Sequence, residues 1–507
     1  MKNKCVLLIL DGYGYKKEIY GNAINQANKP NLDFLFNNYP FTTLDASGEA
    51  VGLTKGQMGN SEVGHLNIGG GRVVMQDLLR IDNSIQNDTF SKNENLIKVF
   101  NFTKTNNSTL HLMGLCSPGG VHSKLTHLYE IVKSAKNFGI NKILIHMFSD
   151  GRDTLKNSAV EYAKEIQEFL DKVGVGKIAS VSGRLYAMDR ENRWDRIKKT
   201  YDLLIFGKAE KTFDNAVMAI EDSYKNDIFD EFIIPVKTKD FKPISENDSV
   251  IFFNYRTDRP KELTKAITNQ NNFNEFETKK FTNLCYATMT EYDENFKDLI
   301  ILYAPEKLKN TLSEWLSING KKQYKVTETT KYAHITYFFN GGIEKPFANE
   351  TRELIESINE KNFALVPHMR AEEIKDKILD AINSDNYDFI LANFSNPDMV
   401  GHTGDFNATV TAIEKIDKCM GEIYLLCKEK GYNLIITADH GNADYMLNEK
   451  GEVVTSHSTS KVPFNLISEE YKNVTLNEGS LSNVAPTVLE VMKLDKPQEF
   501  TNSLIKK

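Results

Sequence analysis

The stretch Leu53-Thr-Lys-Gly-Gln-Met-Gly-Asn-Ser61-Glu-Val-Gly-His-Leu-Asn-Ile-Gly-Gly-Gly-Arg72 decides how the chain is read. Seven glycines lie between Val51 and Arg72, too many for an ordinary helix or strand interior. Among them sits Ser61, beside Asn60 and followed by Glu62, a spacing that predicts a helix start. A serine there lies near unsatisfied backbone N–H groups, which favour an anion such as a phosphate. A plain glycine-rich turn in which Ser61 only caps a helix fits the same residues.

Outward from this stretch, short apolar runs end abruptly in polar residues. Cys5–Leu10 ends in Asp11, and Leu110–Leu115 leads to Cys116-Ser-Pro-Gly-Gly-Val-His122. Ile143–Phe148 leads to Asp150-Gly-Arg-Asp153, Ile178–Val181 to Ser182-Gly-Arg184, and Val250–Phe253 to Asn254-Tyr-Arg-Thr-Asp-Arg259. Phe389–Phe394 leads to Asp398, and Leu434–Ala438 to Asp439-His440. Helical spacing between such runs, at Ala159–Leu170, Asn192–Leu204, Ala371–Ile382 and Val410–Lys428, predicts parallel or mixed α/β sheets. In open sheets of this kind ligands gather beyond the carboxyl ends of the strands, where these polar clusters fall.

The clusters are of two kinds. Asp and His dominate near the start and in the last hundred-odd residues; Arg dominates from about Leu110 to Arg259. A middle domain inserted into a discontinuous outer one explains the pattern. The expected boundaries are 1–75 and 306–507 for the outer domain and 76–305 for the insert. A chain of 507 residues is long enough for two cores.

The net charge of −7 gives no support for a nucleic-acid or anionic-membrane partner, so an anionic substrate needs a local basic cluster. Five scattered cysteines without a C-x-x-C pair suit buried thiols in a reducing cytoplasm. The apolar run at Cys5–Leu10 is too short for a signal core, and no stretch approaches a membrane span.

Asp11, Asp398, His402, Asp439, His440 and His457, with Ser61, offer carboxylate, imidazole and hydroxyl ligands suited to divalent first-row metals, enough for two ions. Singly, each has a plainer reading: Asp398-Met-Val-Gly-His402 can be a helix-surface ion pair, and Asp439-His440 can cap a helix. In the middle segment, Arg152, Arg184, Arg190, Arg256 and Arg259 supply planar forks for carboxylate and phosphate. Arg193 and Arg196 read instead as a solvated helix face.

Two resemblances then become specific. The ordered set Asp11, Ser61, Asp398, His402, Asp439, His440 and His457 resembles the two-metal set of the alkaline phosphatase superfamily. More narrowly, Gly59-Asn-Ser-Glu-Val-Gly-His65, Asp150-Gly-Arg-Asp153, Ser182-Gly-Arg-Leu-Tyr-Ala-Met-Asp-Arg190, Asn254-Tyr-Arg-Thr-Asp-Arg259 and Lys331-Tyr-Ala-His334 resemble the cofactor-independent phosphoglycerate mutases, over nearly the whole chain.

The resemblance implies a discontinuous alkaline-phosphatase-like α/β domain carrying an inserted α/β phosphotransferase domain. It implies one ion on Asp398, His402 and His457 and another on Asp11, Ser61, Asp439 and His440, with manganese the family's usual metal. Ser61 would take the phosphoryl group, with Lys331 reaching that group. His122, Arg152, Asp153, Arg184, Arg190, Arg256 and Arg259 would face the substrate, Asp153 serving as acid and base for the glycerate hydroxyls. The implied reaction interconverts 3-phosphoglycerate and 2-phosphoglycerate, in glycolysis and gluconeogenesis, without bisphosphoglycerate. A monomer in the cytoplasm is expected, with a small-molecule substrate and no nucleic-acid or membrane partner. The chain departs from the usual family pattern at Pro118, Lys124 and Thr330, none of them an implied metal ligand.

Overall fold

The computed structural model describes residues 3–506. The chain divides into two compact units, Met1–Gln76 with Lys307–Lys507, and Asp77–Glu306. Both are α/β, so the expectation of two α/β domains holds. Among the described residues no helix is long and apolar enough to cross a membrane. All five cysteines are free and buried.

The strands of the discontinuous unit are β1 (Cys5–Leu10) and β2 (Phe41–Asp45), and then, after the other unit, β11 to β16. The inserted unit holds β3 (Leu110–Leu115), β4 (Ile143–Ser149), β5 (Lys177–Gly183), β6 (Thr212–Phe213), β7 (Val236–Thr238), β8 (Ser249–Phe252), β9 (Cys285–Thr290) and β10 (Ile300–Tyr303). The remaining six are β11 (Gln323–Glu328), β12 (Glu350–Ile355), β13 (Phe389–Phe394), β14 (Asn433–Thr437), β15 (Val462–Ile467) and β16 (Gly479–Ser480).

In the discontinuous unit the sheet order is β12-β11-β13-β1-β14-β15-β2-β16. The run from β12 to β14 is parallel, and β15 pairs antiparallel with both β14 and β2. All six residues of β1 are buried because parallel neighbours flank the strand and helices cover the sheet, which is why its sequence is continuously apolar. Each such side chain contributes about 1.5–3 kcal/mol on burial.

In the inserted unit the order is β10-β9-β8-β3-β4-β5-β7-β6, parallel from β10 to β5, with β7 antiparallel to β5. The helix Ala159–Val173 buries Ala159, Val160, Ala163, Ile166 and Leu170 on one stripe and stops at Gly174 in the left-handed conformation. The helix expected from Asn192 begins only at Trp194, because Asn192 sits at φ 57° in the preceding turn.

At the carboxyl ends of the central strands Leu10 pairs with Phe394, and Leu115 with Phe148. The loops after neighbouring parallel strands therefore emerge side by side, and these loops carry the polar clusters.

Candidate active site

In the discontinuous unit, Asp11 follows β1, Lys331 follows β11, Asp398 lies in the first turn of the helix Asn396–Gly401 after β13, and Asp439-His440 follow β14. Ser61 opens the helix Ser61–Gly70. It is not the cap: Asn60 is, its side chain accepting from the Val63 N–H. The Ser61 hydroxyl is thereby left for other work. The glycines let this helix approach: a Cβ on Gly64 would lie 2.7 Å from the Asp439 Cβ, and one on Gly59 3.1 Å from the His440 Cβ.

The Ser61 Oγ lies 2.6 Å from Lys331 Nζ, 3.0 Å from His440 Nε2 and 3.2 Å from Asp11 Oδ1. Lys331 Nζ also donates to Asp11 Oδ1 and Asp398 Oδ2, both at 2.7 Å. Burial works against an ammonium here, but Asp11, Asp398 and Asp439 outweigh it and raise the Lys331 pKa. Burial likewise opposes ionisation of Asp11 and Asp398, and Lys331 overrides it, holding both well below the usual carboxylate range. His440 pays the same desolvation cost, yet Asp439 and Asp11 lift its pKa to about 9.

His402 Nε2 and His457 Nε2 stand 3.2 and 3.3 Å from Asp398 Oδ1 and 3.0 Å from each other. The outer nitrogens of all three imidazoles face backbone carbonyls: His402 Nδ1 meets Thr455 O at 2.7 Å, His457 Nδ1 meets Gly59 O at 2.8 Å, and His440 Nδ1 meets Gly441 O at 3.3 Å. A carbonyl only accepts, so Nδ1 carries the hydrogen and Nε2 is left to hold either a proton, which the neighbouring carboxylates favour at His402 and His440, or a metal ion in its place. The His402 and His457 Nε2 atoms, 3.0 Å apart, need a proton or a metal ion between them and Asp398. Asp439 Oδ2 is buried without a hydrogen-bond donor, while its Oδ1 accepts from the Gly12 and His440 N–H groups. Two groups, Asp398 with His440 and His457, and Asp11 with Asp439 and His440, are compact enough to hold an ion each. The donor set fits divalent metals.

In the inserted unit, Arg184 follows β5 and is 3% exposed. Its Nη1 donates to Asp150 Oδ1 at 2.6 Å and Asp153 Oδ2 at 2.7 Å, and its Nη2 to His122 Nε2 at 3.0 Å. Asp150 also accepts from Ser117 Oγ at 2.6 Å and from the Arg152 and Asp153 backbone N–H groups, which sets the loop that presents Asp153. Arg190 Nη1 and the Arg256 fork both reach Asp258, and Arg259 Nη1 donates to Met188 O. Arg152 is half-exposed and pairs with Glu231 at 2.6 Å. Burial lowers the Arg259 pKa, and Arg184, Arg190 and Arg152 lower it further, the mark of crowded positive charge. Burial, then Arg184 and Arg256, push His122 down to about 4.

Residues 81–294 match the family model described as BPG-independent PGAM N-terminus, and residues 270–482 match Type I phosphodiesterase / nucleotide pyrophosphatase. Proteins of Clostridium botulinum (strain Langeland) and Clostridioides difficile (strain 630), each named 2,3-bisphosphoglycerate-independent phosphoglycerate mutase, are 48% identical to the chain, with 100% of both chains covered in each case. The chain belongs to the 2,3-bisphosphoglycerate-independent phosphoglycerate mutase family. Among solved structures, Leishmania mexicana phosphoglycerate mutase at low cobalt concentration aligns at a TM-score of 0.61 and 31% identity, covering 100% of this chain and 98% of that one.

Within this mutase-family chain, sequence reasoning missed four neighbours of the site. Asp150 and Asp258 lie inside the arginine motifs, where an acid among bases was the available signal. Asn393 Nδ2 meets Asp11 Oδ2 at 2.8 Å and His65 Nε2 at 3.0 Å, and His65 Nδ1 lies 3.2 Å from Asp439 Oδ2. Asn393 inside the apolar run of β13 was a legible clue. Of the departures, Lys124 pairs with Asp82 at 2.6 Å, beside His127 on the other oxygen of the same carboxylate. Thr330 Oγ1 is buried without a partner. Arg193 is exposed beside Asp195, whereas Arg196 reaches Asp189, whose carboxylate also accepts from the Glu191 and Arg193 N–H groups.

Proposed function

We propose that the chain is an isomerase that interconverts 3-phosphoglycerate and 2-phosphoglycerate in glycolysis and gluconeogenesis, through a phosphoserine at Ser61 and without bisphosphoglycerate. The observation that carries this is the Ser61 Oγ, left free of capping and held within 3.2 Å of Lys331, His440 and Asp11. Family membership across the full chain supports the substrate.

With the Ser61 proton already released to solvent, the bond between phosphorus and the substrate C3 oxygen breaks as the Oγ–phosphorus bond forms, and the departing C3 oxygen takes a proton from the Asp153 carboxyl. Lys331 places its ammonium against Oγ and balances charge on the transferring oxygens. His122, Arg152, Arg184, Arg190, Arg256 and Arg259 hold glycerate, and Arg184 fixes Asp153 where its carboxylate can carry a proton between the two hydroxyls. The Oγ–phosphorus bond then breaks as phosphorus joins the C2 oxygen. Two divalent ions, manganese by the family's habit, held by Asp398, His402 and His457 and by Asp11, Ser61, Asp439 and His440, would favour ionisation of the serine and neutralise phosphoryl charge. The enzyme is proposed to act as a cytoplasmic monomer with no nucleic-acid or membrane partner.

The test is a coupled mutase assay on metal-depleted protein with manganese restored and no bisphosphoglycerate added. Turnover under those conditions is expected; none at any manganese concentration overturns the proposal.

A further inference from the structure

Asp258 is bonded by two arginines at once, whereas Asp153 accepts from Arg184 and Glu231 from Arg152. Asp150 caps backbone N–H groups and takes a serine hydroxyl, so it builds its own loop. Among the described residues, each hydrogen bond that the Asp258 carboxylate accepts comes from an arginine: Arg190 Nη1 at 2.7 Å, Arg256 Nε at 3.0 Å and Arg256 Nη2 at 3.2 Å. Burial alone would raise its pKa, but Arg190 and Arg256 hold it below the ordinary carboxylate range, so it is an anion at neutral pH.

A third donor faces it. Arg184 can only donate, so His122 Nε2, 3.0 Å from Arg184 Nη2, must be the lone-pair nitrogen and Nδ1 must carry the hydrogen. His122 Nδ1 is buried without a hydrogen-bond partner, and Asp258 Oδ1 lies 3.9 Å away. Two arginines thus hold one side-chain carboxylate, beside a third donor that it does not satisfy. A carboxylate tethered in this way competes at an effective concentration in the range of about 1 mM or more, with no diffusional cost. A free monocarboxylate offers nothing that Asp258 does not already supply.

We propose that Asp258 is a specificity-determining residue, a resident carboxylate that occupies Arg190 and Arg256 until an anion that also engages the unpartnered His122 Nδ1–H takes its place. The inference rests on reading this unit as the glycerate-holding one. Simple carboxylates are excluded by competition, and a ligand with several anionic and hydroxyl oxygens is admitted.

The experiment measures binding of D-glycerate and, separately, of acetate to the metal-loaded full chain by titration calorimetry. The ¹⁵Nε–H resonance of Arg256 is followed in parallel, so that binding elsewhere is not counted. Asp258→Asn and Asp258→Ser are compared with wild type and with Asp195→Asn, which removes an exposed charge beside Arg193. Both Asp258 variants are expected to bind acetate roughly ten-fold more tightly while D-glycerate gains less than about three-fold, so that discrimination between the two falls, with less than a two-fold change for either ligand in Asp195→Asn. Unchanged or weaker acetate binding in both variants would make Asp258 a strut for the arginines and overturn the proposal, as would an equal gain for acetate and D-glycerate or an equal gain in Asp195→Asn. Wild-type mutase turnover is measured alongside. If it is present, a negative result sinks this inference alone; if it is absent, the functional reading fails, and the acetate comparison still decides the role of Asp258.

Discussion

The discontinuous unit and the inserted unit use the same architectural place for opposite electrostatics. In one, the loops after β1, β11, β13 and β14 bring together Asp11, Lys331, Asp398, Asp439 and His440, with Ser61 beside them. In the other, the loops after β3, β4, β5 and β8 bring together His122, Asp153, Arg184 and Arg256. Parallel strands deliver their loops to one edge in both, so the fold chooses the location and the side chains choose the charge. The first centre is short of cations: Asp439 Oδ2 lacks a donor, and two imidazole Nε2 atoms stand 3.0 Å apart. The second is short of anions: Arg184 Nε and His122 Nδ1 are buried without acceptors. One offers its donors to cations, the other to anions.

The sharpest way to break this division is at the nucleophile. Ser61→Ala is expected to lower mutase turnover by roughly 10³-fold or more while the melting temperature stays within a few degrees. Activity within a few-fold of wild type would remove the covalent mechanism.

Chelation comes next. Excess chelator should abolish turnover, and manganese should restore it better than magnesium. In metal-binding titrations, His402→Ala and His457→Ala should weaken one ion and Asp11→Ala the other. Full activity in persistent chelator would mean that the acidic centre serves no ion.

A smaller effect tests the inserted unit. Arg256→Ala and Asp153→Asn should lose most mutase activity, roughly 30-fold or more for a lost charge contact, while metal binding is unchanged. The share of turnover released as inorganic phosphate should rise relative to 2-phosphoglycerate. If both products fall together at the wild-type ratio, the arginine cluster does not steer the acceptor.

The smallest effect concerns pH. Burial, and then Asp189 nearby, raise the Glu262 pKa from 4.5 to about 7. The folded state therefore holds the proton more tightly than the unfolded one. Its contribution to stability is complete below about pH 4.5 and is lost as pH rises through about 7. Glu262 Oε1 accepts from the Asn192 N–H, next to the loop that carries Arg190. Glu262→Gln should flatten the stability profile between pH 5 and 8 by about 1–3 kcal/mol, read by denaturant melts across that range; an unchanged slope would rule the carboxyl out as its source.

How much of this was legible varies with the element. Strands β1, β3 and β13 run over Cys5–Leu10, Leu110–Leu115 and Phe389–Phe394, the bounds read from their apolar runs, because a strand buried on both faces leaves a continuous apolar run. Strand β11 was not legible. Gln323-Tyr-Lys-Val-Thr-Glu328 reads as a polar segment, yet every residue in it is buried. Its polar side chains find partners from distant parts of the chain: Lys325 Nζ meets Asn340 Oδ1 at 2.6 Å, Thr327 Oγ1 meets Asn393 O at 2.9 Å, and Glu328 accepts from Ser395 Oγ at 2.7 Å. No local periodicity announces a partner that arrives from many residues away.

Two lysines mark the limit most clearly. Lys325 and Lys331 lie six positions apart on and just after the same strand, and both are buried. Burial draws Lys325 down to about 7, Glu350 resisting and Arg352 assisting, whereas Asp11, Asp398 and Asp439 raise Lys331 against the same burial. The sequence by itself determined the α/β class, the strand ends where chemistry gathers, and the residue types waiting there. Only the tertiary structure decided that Lys331 keeps its charge beside Ser61, that Arg184 is shared by Asp150, Asp153 and His122, and that Asp258 stands among the arginines. The reason is physical: strand formation follows local apolar pattern, while the charge state and orientation of a buried group depend on the sum of its neighbours, and those come from loops far apart along the chain.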